Sequence, residues 1–254
     1  MLPPRSIGES CRSRTAGVDA EYFHKGIQGM KQAIKRLLFG TCRRPLRIPF
    51  GLYQGLTLSI DPRGELGYFF GTDEMETHSW LRAAGKAARS FVDIGAGSGE
   101  LVVWALSQPA MKRAMAYDSS PARWNLLREN LLLNGFQNDP RLNAECAEFL
   151  SPANAVKDSA AFQSLPEPIL FKMDIDGGEE HVLRAMRNLL GAKQMFVLIE
   201  THSFDLDTAC SLLLEEAGYR VQRIAQANYR CVLPERRPLA FNQWVTADNI
   251  SPSR

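Results

Sequence analysis

The sequence predicts an α/β protein: a mostly parallel sheet with helices on both faces. Three observations carry this. From about residue 65 to residue 233, short apolar runs alternate with helical stretches five or six times, the signature of βα units. A glycine-rich turn, Gly95-Ala96-Gly97-Ser98-Gly99, joins a short apolar strand to a helix. Successive strands end in acidic residues, at the edge where open α/β sheets bind ligands.

Composition agrees. The chain has 254 residues, 45% hydrophobic and 23% charged, enough for a sizeable core. A net charge of +2 gives no global field for nucleic acid. No apolar run approaches the ~20 residues of a membrane span, and the opening MLPPRSIGES lacks the apolar stretch of a secretory signal. The five cysteines, Cys11, Cys42, Cys146, Cys210 and Cys231, form no C-x-x-C pair. They argue against a zinc module or disulfide framework, so a reducing, cytoplasmic setting is expected.

In chain order, residues 1–64 are expected to form a flexible tail, a basic helix and a hairpin. Residues 1–50 carry ten Lys/Arg against three Asp/Glu, while residues 51–254 carry twenty against 25. From Gly26 to Phe39, Ile27, Met30, Ile34, Leu37 and Leu38 recur at helical spacing among Lys31, Lys35 and Arg36. Such a helix either packs on the main domain with its lysines solvated or docks on an acidic partner or membrane surface. Peripheral membrane contact would fall in residues 25–50. The run PLRIPFGLYQGLTLSID places β-prone segments around Gly51 and Gly55, a hairpin. The main domain spans residues 65–245, with a tail at 246–254 and a Ser/Pro-rich linker at about 151–168.

The first strand, Ser90–Ile94, runs into the glycine turn, and Leu101, Val102, Trp104 and Ala105 begin the next helix. Glycines there let the backbone turn sharply and approach a ligand. A dinucleotide fingerprint reads G-x-G-x-x-G and seats a pyrophosphate on the helix N-terminus. Here Asp93 precedes a G-x-G-x-G run. Its charge would repel a pyrophosphate but suits a cation such as S-adenosylmethionine, with its sulfonium and ammonium groups.

The second strand, Arg113–Asp118, ends in an acid 19 residues after Gly99, where a carboxylate can take both ribose hydroxyls. The alternative is a helix cap, since Ser119, Ser120 and Pro121 open the helix Ala122–Asn134. The third strand, around Arg141–Glu145, leads to Cys146 and Ala147, candidates for holding an adenine, as are the side chains of Glu145 and Glu148. Solvated loop acids are the other reading of those glutamates.

Residues 169–176 read as a buried strand that delivers Asp174 and Asp176 on one face. Paired carboxylates serve proton transfer and orientation, or hold a hard metal; no metal site is assigned. Glu179 and Glu180 fall in the first turn of the following helix, where the dipole favours acids whether or not they function. The fifth strand, Gln194–Glu200, brings Glu200 and His202 to the same edge, and His202 titrates in the range of a general base. His24, His78 and His181 read as surface or packing residues.

Together, VDIGAGSGE, YDSSPARWNLLRENLLLNG, KMDIDGGEEHVLRAM and VLIETH resemble the class I S-adenosylmethionine-dependent methyltransferases, and within them the FkbM-type family. LLEEAGYRV and the upstream GTDEMET extend the resemblance over about residues 65–235. It implies a Rossmann-like seven-stranded sheet whose last strand inserts antiparallel, and methyl transfer, usually to a hydroxyl oxygen. Carried over, Asp93, Gly95, Ala96, Gly97, Ser98 and Gly99 line the methionine part of S-adenosylmethionine; Asp118 and Ser119 hold the ribose; Cys146 and Ala147 face the adenine. Asp174 and Asp176 face cofactor and acceptor, Glu200 and His202 edge the acceptor pocket, and Asp174 and His202 are the catalytic candidates. The chain departs from the family's D-x-E-G-x-E at Asp176, where Glu shortens to Asp, and from the wider class at Cys146, where an acid is common.

The expected function is O-methylation of a small molecule: a sugar, natural product or lipid. Two alternatives stand beside it: a non-catalytic cofactor-binding protein acting through the basic N-terminal region, and an NAD-dependent oxidoreductase. Nucleic acid is not an expected partner, and the sequence leaves the oligomeric state open.

Overall fold

The computed structural model describes residues 37–231 and 241–250. They fall into two units: a smaller one holding 37–43 and 61–64, and a larger one holding 44–60 and everything described from 65 onward. In the smaller unit residues 37–39 are helical, and Arg63 forks onto Asp61 at 2.9 and 2.7 Å. The rest of the expected basic helix lies outside the described residues.

The larger unit opens with the hairpin. Strands β1 (Arg44–Arg47) and β2 (Thr57–Ile60) pair antiparallel, Arg44 opposite Ile60. Helix α1 (Leu66–Phe70) and a 3₁₀ turn (Met75–Thr77) lead to α2 (His78–Ala87). The alternation then runs β3 (Ser90–Ile94), α3 (Glu100–Leu106), β4 (Arg113–Tyr117), α4 (Pro121–Leu133), β5 (Leu142–Glu145), α5 (Ala155–Gln163) and β6 (Ile169–Met173). It closes with α6 (Glu179–Ala185), α7 (Arg187–Leu190), β7 (Met195–Thr201), α8 (Phe204–Glu216), β8 (Arg220–Ala225) and β9 (Gln243–Asp248).

The seven-stranded sheet has the order β5-β4-β3-β6-β7-β9-β8. β3 through β7 pair in parallel, and β9 inserts antiparallel to both β7 and β8. This is the class I methyltransferase fold. β3 and β6 are buried at every residue, as a parallel sheet covered on both faces requires. α3 is buried along its whole length, Glu100 included, so its apolar sequence shows no solvent stripe.

Four boundaries differ from expectation. Residues 151–168 are not a plain linker: they contain α5, whose Asp158 is fully buried and accepts from Tyr117 Oη (3.1 Å) and the Leu150 N–H (2.8 Å). The strand expected to reach residue 176 stops at Met173, so Asp174 and Asp176 sit in a loop. The helix expected to run to Leu190 breaks at Met186, between α6 and α7. Residues 246–248 are not tail but the end of β9, inside the sheet. Among the described residues no helix is long and apolar enough to cross a membrane.

Candidate functional site

The glycine turn is stitched to both neighbouring strands. The N–H groups of Gly95 and Ala96 donate to the Tyr117 carbonyl (2.9 Å each), and the Asp174 N–H donates to the Ile94 carbonyl (2.9 Å). At Gly95, φ is +79°, and a Cβ would lie 1.8 Å from the Asp174 carbonyl oxygen. The close approach that glycine permits there is made by the Asp174 loop, not by a ligand. Gly97, at φ +57°, donates its N–H to Asp118 Oδ2 (2.9 Å), and the Gly99 N–H donates to the Ala96 carbonyl (2.9 Å). The N–H groups of residues 95, 96, 97 and 99 are thus spent inside the protein. A phosphate cradle needs such groups free, and at these four positions they are not.

Asp118 follows β4. It is 7% exposed, and its Oδ1 accepts the Ser120 N–H at 2.8 Å while Oδ2 holds Gly97. Ser120, not Asp118, caps α4, through a bond from the Arg123 N–H to Ser120 Oγ. The carboxylate is therefore fixed by backbone donors and still has lone pairs for a ligand.

A cavity of about 510 Å³ opens beside it at the C-terminal edge of the sheet, within the range of ligand pockets. Of the expected residues, Gly95, Asp118, Ser119, Ala147, Asp174 and Asp176 line it; Asp93, Ala96, Gly97, Ser98, Gly99, Cys146, Glu200 and His202 do not. Glu148, one of the two weighed for an adenine, is on the wall. Sequence reasoning missed Arg123, Phe149, Ser151, Ile175 and His181, which also line it. His181, expected to be surface or packing, is the third residue of α6, is exposed and lines the cavity. Helical periodicity holds no signal for which exposed residue meets a cavity.

Asp174, Asp176 and His202 do converge. His202 Nε2 lies 3.4 Å from Asp174 Oδ1 and 3.3 Å from Asp176 Oδ1. The convergence comes from the loop rather than from strand pleating: Asp176 takes φ +57°, a conformation Asp adopts more readily than most residues. The loop is clamped by Glu179, fully buried, whose Oε1 and Oε2 accept the N–H groups of Ile175 (3.0 Å) and Gly177 (2.9 Å). Glu180 instead pairs with Arg184 at 2.7 Å on the surface.

Ligand atoms of Asp174, Asp176 and His202 lie within 4.8 Å of one another, close enough to share a cation. Asp174 Oδ2, however, already has the Lys172 ammonium 3.7 Å away. The other oxygen, Oδ1, is the one that faces His202.

Charge in the floor of the site is unusual. Burial pushes the Asp93 carboxyl up to about 6; Lys172 opposes this, while Asp174 and Asp118 reinforce it. Burial disfavours the Lys172 ammonium, but Asp93 and Asp174, helped by Glu74 and Glu200, outweigh it and raise its pKa. Burial, then Glu74 and Asp174, raise the Glu200 carboxyl well above its usual range. Its side chain is directed at Asn242, not the cavity. The Asp174 hydrogen bond raises His202, against burial and with help from Asp176 and Glu179.

The family model of the methyltransferase FkbM domain matches residues 158–221, from α5 into β8. No curated protein matches. Among solved structures, a precorrin-6y C5,15-methyltransferase from Geobacter metallireducens is 18% identical, with a TM-score of 0.45 over 69% of this chain and 90% of its own. The precorrin 8w decarboxylase of Methanobacterium thermoautotrophicum is 13% identical, with a TM-score of 0.47 over 69% and 90%. An rRNA methylase from Streptococcus thermophilus is 13% identical, with a TM-score of 0.46 over 70% and 96%. Similarity at this level says nothing of what this chain acts on. The chain joins an FkbM methyltransferase domain match over residues 158–221 to the class I methyltransferase fold.

Proposed function

We propose that the protein is an S-adenosylmethionine-dependent methyltransferase that methylates a hydroxyl of a small molecule. The observation that carries this reading is the pairing of a glycine turn whose N–H groups are internally spent with a fixed, cavity-facing Asp118 carboxylate. Such a site rejects a diphosphate and accepts a ribose. Neither the oxidoreductase nor the non-catalytic alternative gains support from the fold or the family match.

The residues present fit the cofactor. Asp118 and Ser119 would take the ribose, Ala147 and Phe149 would pack on the base, and Gly95 and Asp174 would face the methionine part. Bound there, S-adenosylmethionine supplies a methyl group already activated on a sulfonium. What remains for the protein is to position the acceptor and remove its proton. Asp174 stands on the cavity wall and takes that proton; His202 Nε2, 3.4 Å behind it, shares it. This relay needs a neutral imidazole. Because His202 is raised, turnover rises with pH through the elevated histidine midpoint.

Calorimetric titration with S-adenosylhomocysteine is the direct test. We expect binding by the wild type and a loss of about tenfold or more in Asp118→Ala, as removing one charge-assisted pair implies. With acceptors screened by transfer of labelled methyl, Asp174→Asn and His202→Ala should both lower turnover, His202→Ala leaving that affinity nearly intact and Asp174→Asn, which faces the methionine part, weakening it as well. A wild type that does not bind the nucleoside overturns the cofactor assignment; full turnover in both variants overturns the proton relay.

A further inference from the structure

Lys172 has no role in the chemistry above, yet it lies in the middle of the sheet. Its Cα is paired with that of Asp93 across β3 and β6, and its side chain is 8% exposed. An ammonium is costly to bury unless it is paired. Here Nζ lies 3.8 Å from Asp93 Oδ1, 3.7 Å from Asp174 Oδ2 and 3.5 Å from the Gly95 carbonyl oxygen. Those three groups are the strand end before the glycine turn, the carboxylate on the cavity wall, and the first residue of the turn.

We propose that Lys172 is the positioning residue of this site: one buried ammonium ties the glycine turn to Asp174 and so sets how that carboxylate meets His202. Asp174 is held from both sides at the cavity wall, Oδ2 toward Lys172 and Oδ1 toward His202. The ammonium also offsets part of the charge that Asp174 presents to the imidazole. Asp93 from β3, Glu74 from the segment before the 3₁₀ turn, Glu200 from β7 and Asp174 face Lys172. Asp174, Asp176 and Glu179 of α6 face His202. Lys172 is thus a cation set among carboxylates, and removing it leaves the imidazole under a stronger negative field.

The test uses two readouts, only the second of which rests on the cofactor assignment. In the protein alone, the His202 ring proton is followed by NMR across pH. Lys172→Met is expected to move the His202 midpoint up, because the Asp174 carboxylate that faces both groups then acts on the imidazole without the opposing ammonium. Lys172→Arg, which keeps the charge, should leave it near the wild-type value. In calorimetry with S-adenosylhomocysteine, Lys172→Met should weaken binding by about tenfold, equivalent to about 1.4 kcal/mol, with Arg restoring most of it.

A folded Lys172→Met protein with an unmoved His202 midpoint overturns the proposal. So does a wild-type Lys172 whose side-chain nitrogen, followed by ¹⁵N NMR, is neutral at pH 8, a measurement that needs no variant to fold. If the midpoint moves as expected but the wild type binds no S-adenosylhomocysteine, the positioning role stands and the cofactor assignment falls.

Discussion

At the residue scale, Glu179 shows how a position that reads as a helix-start acid becomes the keystone of a loop. Both its oxygens are committed to backbone N–H groups of the Asp174–Gly177 segment, and it has no exposed surface. Glu179→Gln presents an amide N–H to one of those donors. We expect a loss of about 1–3 kcal/mol, measured by urea unfolding, together with a drift of the His202 midpoint as the loop relaxes. The Asp174–His202 bond gives a second prediction. A histidine raised in the folded state adds stability that is fully present below its unfolded value, about 6.5, and is lost as pH rises through the folded value. Asp174→Asn should therefore lower the His202 midpoint. Its Tm deficit against the wild type should be largest between about pH 5 and 6.5 and shrink above the wild-type midpoint.

At the scale of elements, α4 holds the hairpin to the site. Asn130 on α4 and Asn134 just past its end lie four residues apart and face the edge of β2. Asn130 Oδ1 accepts the Ser59 N–H (2.7 Å), and its Nδ2 donates to the Ser98 carbonyl (2.8 Å) inside the glycine turn. Asn134 Oδ1 accepts the Thr57 N–H (3.0 Å), and its Nδ2 donates to the Thr57 carbonyl (2.7 Å). Two amide side chains thus take the place of a neighbouring strand. Asn130→Ala strands a buried N–H and a carbonyl together, so we expect it to cost about 2–4 kcal/mol. Asn134→Ala should cost less, because Thr57 is only half-buried; urea midpoints of the two variants check the order. Nothing in the periodicity of ARWNLLRENLLLN marks these asparagines, since an exposed-face Asn and a strand-pairing Asn read alike.

At the scale of the molecule, an aromatic row binds the sheet to α5. Tyr117, Phe149, Phe162 and Phe171 follow one another at centroid distances of 4.9, 6.4 and 6.3 Å. Phe162 is fully buried in the middle of the row. Phe162→Ala should cost about 3–5 kcal/mol, on the order of 10 °C in Tm, readable by calorimetry. It should also weaken S-adenosylhomocysteine binding through Phe149, which touches both the row and the cavity. α5 is the element that sequence reading replaced with a linker. Its prolines and all of its neighbouring serines but Ser159 lie at its flanks, and its nine residues bury only Asp158 and Phe162, too few for a periodic stripe to show.

The sequence by itself determined the sheet and the direction of its chemistry. Alternating apolar runs suffice for parallel strands because both faces of such strands must be buried. Acids at strand ends mark the edge that binds ligands, because open α/β sheets bind in the crevice outside the carboxyl ends of their strands. The tertiary structure alone decided which of those acids meet. Asp93 and Lys172 are 79 residues apart in the chain and become neighbours only through the register of β3 on β6. Asp174 and Asp176 reach one histidine through a loop bent by Glu179, not through strand alternation. Electrostatic contacts of this kind depend on distances of a few ångströms between elements, and hydrophobic periodicity, which fixes the elements, carries no information at that range.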